Sequence, residues 1–267
     1  MYQTHWGLRE SPFRSGLDPR LFYSSPTHEE ALARLHFLVE ERRRVGLLMG
    51  VAGSGKSLLL EVFAEQLRQS GRPVAKVDLL GLEPAEMLCL LGAGLELNLD
   101  PSEAVARLWR SVTDRLAEYR YQQLDATLLL DDADRAASPV LDLVTRLAQH
   151  DPSPASRLTM VLAGQRARIS RIGDRLLDLA ELRISLDTWE RSDTEAFLSA
   201  SLAQAGRQSS VFADPAVARL HELSRGIPRR VSRLADLALV AAAGEELQQI
   251  DAEVVESVYH ELSLIEV

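Results

Sequence analysis

One stretch restricts this chain more than any other: Gly50-Val51-Ala52-Gly53-Ser54-Gly55-Lys56-Ser57. It matches G-x-x-x-x-G-K-[ST], a loop whose glycines let successive backbone N–H groups turn inward around a phosphate with no Cβ in the way. The flanks suit it. Val45 to Met49 is a short apolar run that reads as a buried strand. Ser57 to Gln69 reads as a helix, with Leu58, Leu59, Val62, Phe63 and Leu67 on one side and Gly71 just beyond its end. Strand, glycine turn and helix in that order direct the helix's positive end at an anion. Lys56 supplies a point charge to the terminal phosphates, and the Ser57 hydroxyl is a ligand for Mg²⁺.

The rest of the pattern alternates. Val74 to Leu79, Ala126 to Leu130, Leu158 to Ala163 and Leu182 to Leu186 read as further strands. Helices are expected at 83–95, 101–119, about 139–150 and 168–180. Strand alternating with helix predicts a parallel sheet with right-handed crossovers, an open α/β fold. Before it, residues 1–26 are rich in turn and aromatic residues and read as a segment pinned to a surface by its aromatics. Thr27 with Glu30 forms the signature of a capping box for the next helix. From Ser192 onward the strand signal stops. Ser192 to Ala205, Asp214 to Ser224, Pro228 to Ala243 and Asp251 to Leu262 read as helices, with caps expected at Ser192 (with Glu195), Asp214 before Pro215, and Asp251. The expected division is an N-terminal segment and helix packing on the nucleotide domain (1–44), an α/β nucleotide-binding core (45–190) and a small all-helical lid (191–267).

Composition narrows the class. With 46% hydrophobic and 26% charged residues the chain is an ordinary globular one and not a disordered one. A single cysteine, Cys89, excludes an internal disulfide and any multi-cysteine metal site, and makes the cytosol the default compartment. No apolar run reaches the ~18 to 20 residues of a membrane span, and the first ten residues lack the apolar region of a secretory signal. The net charge of −9 argues against a generally basic nucleic-acid binder, so DNA is a partner the balance does not favour. A local arginine patch on phosphates stays open, because lysine occurs only at Lys56 and Lys76 and every other basic residue is arginine.

A loop that holds a triphosphate needs a carboxylate for its metal at the end of a neighbouring strand. Asp131 ends the apolar run Thr127 to Leu130 and would sit at the carboxyl edge of the sheet beside Ser57. Asp132 is next to it and is the candidate for orienting the attacking water. The other reading of this stretch is a polar turn or helix cap shared with Asp134 and Ser138. If the strand Leu158 to Ala163 lies between the other two, Gln165 faces the γ-phosphate. Arg229, at the start of the helix from Pro228, is a candidate to reach the nucleotide.

Together these pieces resemble the AAA+ ATPases of the general secretion pathway protein A type (ExeA-like), related to transposition and origin-recognition-like AAA+ ATPases. The resemblance spans nearly the whole chain: Trp6-Gly7-Leu8 with Pro12-Phe13, Asp18 to Tyr23, His28 to Leu32, the phosphate loop, Asp131-Asp132, Leu162 to Gln165, Leu182-Arg183-Ile184, and Ser224 to Arg230. It implies a P-loop NTPase fold of the AAA+ type, with a five-stranded parallel sheet in the order 5-1-4-3-2 and the helical lid. It implies that Gly50, Val51, Ala52, Gly53, Ser54, Gly55, Lys56, Ser57 and Leu58 form the Walker A site, with ATP and Mg²⁺ as cofactors. Asp131 and Asp132 would be the Walker B pair, with Ser57 and Asp131 on the metal. Gln165 would be sensor 1, Arg229 sensor 2, and Arg183 an arginine finger offered to a neighbouring subunit. The N-terminal motifs would line the adenine side. One departure stands out: the family usually carries Asp-Glu where this chain has Asp131-Asp132, which withdraws the carboxylate by about one methylene and predicts slow hydrolysis.

The expected protein is therefore a cytoplasmic, Mg-dependent ATPase that binds ATP and ADP and assembles with itself. It would drive or gate assembly of an unidentified protein partner of the secretion or cell-envelope type. The alternatives are an ATP-dependent DNA-binding regulator of the transposition type and a slow-hydrolysing nucleotide switch.

Overall fold

Five apolar runs pair side by side in one sheet: β1 (Val45–Gly50), β2 (Val74–Asp78), β3 (Ala126–Asp131), β4 (Leu158–Gln165) and β5 (Leu182–Leu186). The computed structural model describes residues 2–14, 16–153 and 155–265, so Met1, Glu266 and Val267, the ends of the expected first and last domains, lie outside the described residues. The strand order is β2-β3-β4-β1-β5, which read from the other edge is the expected 5-1-4-3-2, and every pairing is parallel. All six residues of β3 are buried. A strand covered on both faces of a parallel sheet needs such a continuous apolar run, whereas β5 at the sheet's edge alternates, with Leu182, Ile184 and Leu186 inward of exposed Arg183 and Ser185.

Residues 28–52 and 56–186 form one compact unit around this sheet. Its helices are α2 (Pro26–Glu40, whose first two residues group elsewhere), α3 (Lys56–Gln69), α4 (Pro84–Gly94), α5 (Val105–Tyr121), α6 (Ser138–Ala148) and α7 (Asp174–Leu179). The longer ones present a buried stripe at helical spacing. On α5 the stripe is Leu108, Val112, Leu116 and Tyr119, and the Tyr119 hydroxyl, at the stripe's end, donates to the Leu95 carbonyl at 2.9 Å.

Three local expectations need correction here. Residues 168–180 are not one helix: a 3₁₀ helix runs from Arg166 to Ile172, Gly173 at φ 89° breaks it, and α7 follows. Gly173 adopts the left-handed region that other residues avoid, so the helical pattern cannot continue through it. The helix expected from 101 starts at Val105, because Asp100 folds into a turn by accepting the Ser102 N–H at 2.9 Å. And α2 begins at Pro26, with no Thr27 box at its start; the Thr27 hydroxyl accepts the N–H of Asp187 instead, at 3.3 Å. Proline suits the first helical position, where its missing N–H is not needed.

The second unit comprises the residues up to Thr27, Gly53–Gly55 and Asp187 onward. It contains α1 (Tyr2–Trp6), α8 (Arg191–Gln204), α9 (Asp214–Ser224), α10 (Pro228–Gly244) and α11 (Ala252–Ile265). The grouping differs from the division at 1–44, 45–190 and 191–267, because the first residues belong to the core of the helical unit. Trp6, Leu8 and Phe13 are buried there among Phe197, Leu198, Phe212 and Leu239. The Trp6 indole donates to the Leu239 carbonyl at 2.9 Å, and the Trp189 indole to the Ser25 hydroxyl at 3.0 Å. Side chains this enclosed belong to the core of that unit. Of the expected caps, Asp251 is in place, accepting the N–H groups of Glu253 and Val254 at 3.0 and 3.1 Å. Helix α8 starts one residue early, with Glu190 as its cap and Asp193 accepting the Glu190 N–H at 2.9 Å. Asp214 is the first residue of α9 and Ala213 the cap.

Candidate functional site

Three strand ends make the framework of the site. β3 ends at Asp131 and β4 at Gln165, while β1 ends at Gly50, which pairs with Gln165. β4 lies between the other two, so Asp131 and Gly50 are two strands apart, about 10 Å at ordinary strand spacing. The sheet thus brings the start of the glycine loop, the Asp131-Asp132 pair and Gln165 to one carboxyl edge of the α/β unit. Open parallel sheets bind ligands at this edge.

The loop itself carries the geometry of an anion cradle. Gly53 and Gly55 have φ of 83° and 96°, a region in which a Cβ is strained. Lys56, 7% exposed, turns its ammonium onto the loop, donating to the carbonyls of Gly50 at 3.2 Å and Val51 at 2.9 Å. Ser54 is fully enclosed, Ser57 and Leu58 are half-buried at the start of α3, and Val51 and Ala52 are exposed. Gly53–Gly55 groups with the helical unit. Within that unit the Arg229 N–H donates to the Gly53 carbonyl at 3.1 Å, and the exposed Arg229 side chain leaves the first turn of α10.

The acidic side is strongly organised. Asp131 is buried and accepts the N–H of Asp132 on Oδ1 at 2.9 Å. Asp132 sits in the left-handed region at φ 46° and ψ 35°. Aspartate tolerates that conformation better than longer side chains do, which accounts for a short acid at this position. Burial pushes the Asp132 carboxyl above the usual carboxylate range, and the neighbouring carboxylates of Asp131, Asp78 and Asp134 push it further; Arg135 pulls the other way. Asp78, opposite Asp131 on β2, is a member of this cluster that the sequence did not single out. Asp134, which the sequence offered as part of a polar turn or helix cap, is 1% exposed and accepts the Gln165 N–H on Oδ1 at 3.1 Å. Its only signal was a third acid two places after Asp132.

A Mg·nucleoside triphosphate fits these residues. Burial and the carboxylates of Asp131, Asp78 and Asp134 raise the cost of ionising Asp132, and a divalent cation would offset that. Among the described residues no group of three or more His, Cys, Asp or Glu side chains is arranged to hold a metal by itself. Mg²⁺ characteristically takes one or two protein ligands and completes its shell with water and phosphate oxygens, so a site for it needs no such group.

Arg183 lies apart from this edge. It is exposed on β5, paired level with Leu47 of β1, whereas Leu186 is level with Gly50. Three residues of strand separate it from the height of the loop, about 10 Å.

Comparison with known proteins gives these parts a context. The family model for the AAA domain matches residues 39–172, half of the chain. General secretion pathway protein A of Aeromonas hydrophila is 28% identical over 246 residues, which cover 91% of this chain and 45% of that protein, so the chain spans less than half of that relative. Among solved structures, Cdc6p from Pyrobaculum aerophilum matches with a TM-score of 0.75 at 17% identity, over 94% of this chain and 70% of that one. The Aeropyrum pernix ORC1 protein in complex with DNA matches with a TM-score of 0.70 at 17% identity, over 92% and 68%. The Thermotoga maritima RuvB Holliday junction branch migration motor matches with a TM-score of 0.60 at 16% identity, over 94% and 73%. At these identities the likeness concerns the fold. It nevertheless corrects the weighting against DNA: the same fold sits on DNA in the ORC1 complex. A net charge of −9 is an average over the whole surface, and phosphate contacts depend on where the arginines are.

Proposed function

This chain belongs to the AAA domain family and is an ATPase of that family, and from that premise we propose that it uses Mg·ATP to act on DNA as an assembly of several copies. The observation that carries the DNA reading is the fold likeness to the DNA-bound ORC1 protein over 92% of this chain, its helical region included. A local feature supports it. The 3₁₀ helix Arg166–Ile172 carries Arg168 and Arg171 exposed, and neither has a carboxylate within ion-pair distance among the described residues.

The roles of the site residues follow from chemistry. The loop N–H groups from Gly50 to Ser57, with the start of α3, bind the phosphates. Lys56 exchanges its bonds to the Gly50 and Val51 carbonyls for phosphate oxygens. Ser57 and Asp131 would hold Mg²⁺, and the chemistry it would supply there is charge stabilisation at the phosphoryl oxygens. Asp132 orients the water for in-line attack, and Gln165 and Arg229 meet the charge that develops on the transferred group. Arg183, exposed on an edge strand, is offered to the site of a neighbouring copy.

A second reading has its own support in the 28% identity to General secretion pathway protein A: assembly of a secretion-type protein complex. Fluorescence anisotropy with a double-stranded DNA probe separates the two. Binding in Mg·ATPγS that falls steeply with salt supports the DNA reading. Absence of binding at low salt in every nucleotide state overturns it and leaves the protein partner.

A further inference from the structure

Asp134 is the third carboxylate of the turn after β3, and the roles given above to metal and water do not use it. It is nonetheless 1% exposed. Oδ1 accepts the Gln165 N–H at 3.1 Å, and Oδ2 is buried with no hydrogen-bond partner among the described residues. Burying a carboxylate oxygen unpartnered is costly, so other features must hold the side chain there. Two do. Left-handed Asp132 turns the chain sharply at the end of β3 and starts the 3₁₀ turn Ala133–Arg135 that carries Asp134 inward. Gly164 then leaves the space the carboxylate fills: a Cβ on it would lie 2.7 Å from Asp134 Oδ1, 3.2 Å from Asp134 Cβ and 3.2 Å from Ile169 Cδ1. Gly164 is not among the glycines with positive φ, so what it provides is room and not backbone freedom.

The bond therefore joins two strand ends. One carries Asp131 and Asp132, and the other carries Gln165 at the height of Gly50. We infer that Asp134 is a positioning residue: it fixes Gln165 through its backbone N–H, in register with Asp131-Asp132 and with the start of the phosphate loop. Gly164 is the second half of the same device. The inference rests on the reading of Gln165 as the residue that faces the terminal phosphate.

The test uses the full chain and two measurements. The first is hydrogen exchange at the Gln165 amide without nucleotide. Asp134→Ala removes the acceptor and should speed that exchange about tenfold or more, as expected for loss of a protecting bond. Asp134→Asn keeps a carbonyl oxygen in place and should stay close to the original rate. The second is hydrolysis of Mg·ATP. Asp134→Ala should lower kcat about 10- to 100-fold, the scale of an ångström-level displacement, with the Kd for Mg·ATP within about twofold. Asp134→Asn should restore most of the rate. Combined with Gln165→Ala, Asp134→Ala should add no further loss, because both act through one group. Gly164→Ala disturbs the same contact from the other side and serves if Asp134→Ala does not fold. Unchanged exchange at the Gln165 amide overturns the inference whatever hydrolysis does, and so do kcat losses from Asp134→Ala and Gln165→Ala that multiply. If Gln165→Ala alone leaves kcat untouched, it is the reading of Gln165 that fails, and exchange at its amide still decides whether Asp134 fixes it.

Discussion

Arg229 and Gly53 meet backbone to backbone: the Arg229 N–H donates to the Gly53 carbonyl at 3.1 Å, and a Cβ on Gly53 would lie 3.0 Å from the Arg229 Cβ. The same Cβ would lie 3.1 Å from Ile227 Cγ2, on a backbone with φ of 83°. Gly53 is thus required twice, for its conformation and for its lack of bulk.

Gly53→Ala should therefore destabilise the nucleotide-free chain. Left-handed strain contributes about 1 to 2 kcal/mol, and crowding against Arg229 and Ile227 adds to it. Each kcal/mol lowers Tm by about 2 to 4 °C in a chain of this size. Calorimetry checks this, and a variant that melts with the original chain would show that the contact is not tight.

Lys56→Ala acts on the ligand and not on the fold. If Lys56 meets the terminal phosphates as proposed, its loss should remove most of the thermal stabilisation that Mg·ATP gives. The measurement is the melting shift between nucleotide-free and Mg·ATP samples. A full shift in Lys56→Ala would mean that the triphosphate binds elsewhere.

Variants of Asp132 should separate binding from turnover. Asparagine tolerates the left-handed region about as well as aspartate, so Asp132→Asn should fold and bind Mg·ATP normally while hydrolysis falls to background. Asp132→Glu restores the usual reach of the family's acid and should raise the hydrolysis rate. A lower rate in Asp132→Glu, at unchanged binding, would show that the left-handed turn has fixed the geometry around the shorter acid.

Arg183 is tested by mixing. Arg183→Ala keeps a complete phosphate loop and should bind ATP normally, with hydrolysis reduced by about 10³-fold or more if it acts as arginine fingers do. Lys56→Ala keeps the arginine. Mixed assemblies of the two should regain part of the rate that each has lost. If assemblies shown to contain both variants stay inactive, Arg183 does not act in trans, and the next candidates are Arg171 on the 3₁₀ helix and Arg175 in the first turn of α7, both ahead of β5.

Which parts were legible in the sequence follows from how local their causes are. The five strands and the phosphate loop are written in consecutive residues, as short apolar or alternating runs and as glycines at fixed offsets. The strand order is a non-local property and came only with the family resemblance. Helix starts were misplaced by one residue where several polar side chains compete, as Glu190, Ser192 and Asp193 do at α8. The break at Gly173 leaves no mark in the sequence, because a lone glycine is tolerated in a helical pattern and only its φ of 89° ends the helix. Left-handed Asp132 and the bond from Gln165 to Asp134, 31 residues away in sequence, leave no periodic trace.

Trp6 illustrates what such distance means during synthesis. Its indole is satisfied by Leu239, 233 residues further along. At ordinary ribosomal speed that separation amounts to roughly ten to fifty seconds in which the first segment has emerged and its partner has not. The α/β unit between them, ending at Leu186, is complete long before then and can fold around its own sheet. The opening aromatics must wait in solution for α10. A nascent chain arrested before α10 should therefore present Trp6, Leu8 and Phe13 to any chaperone that reads exposed apolar side chains, and release from it should coincide with the appearance of the chain's last helices.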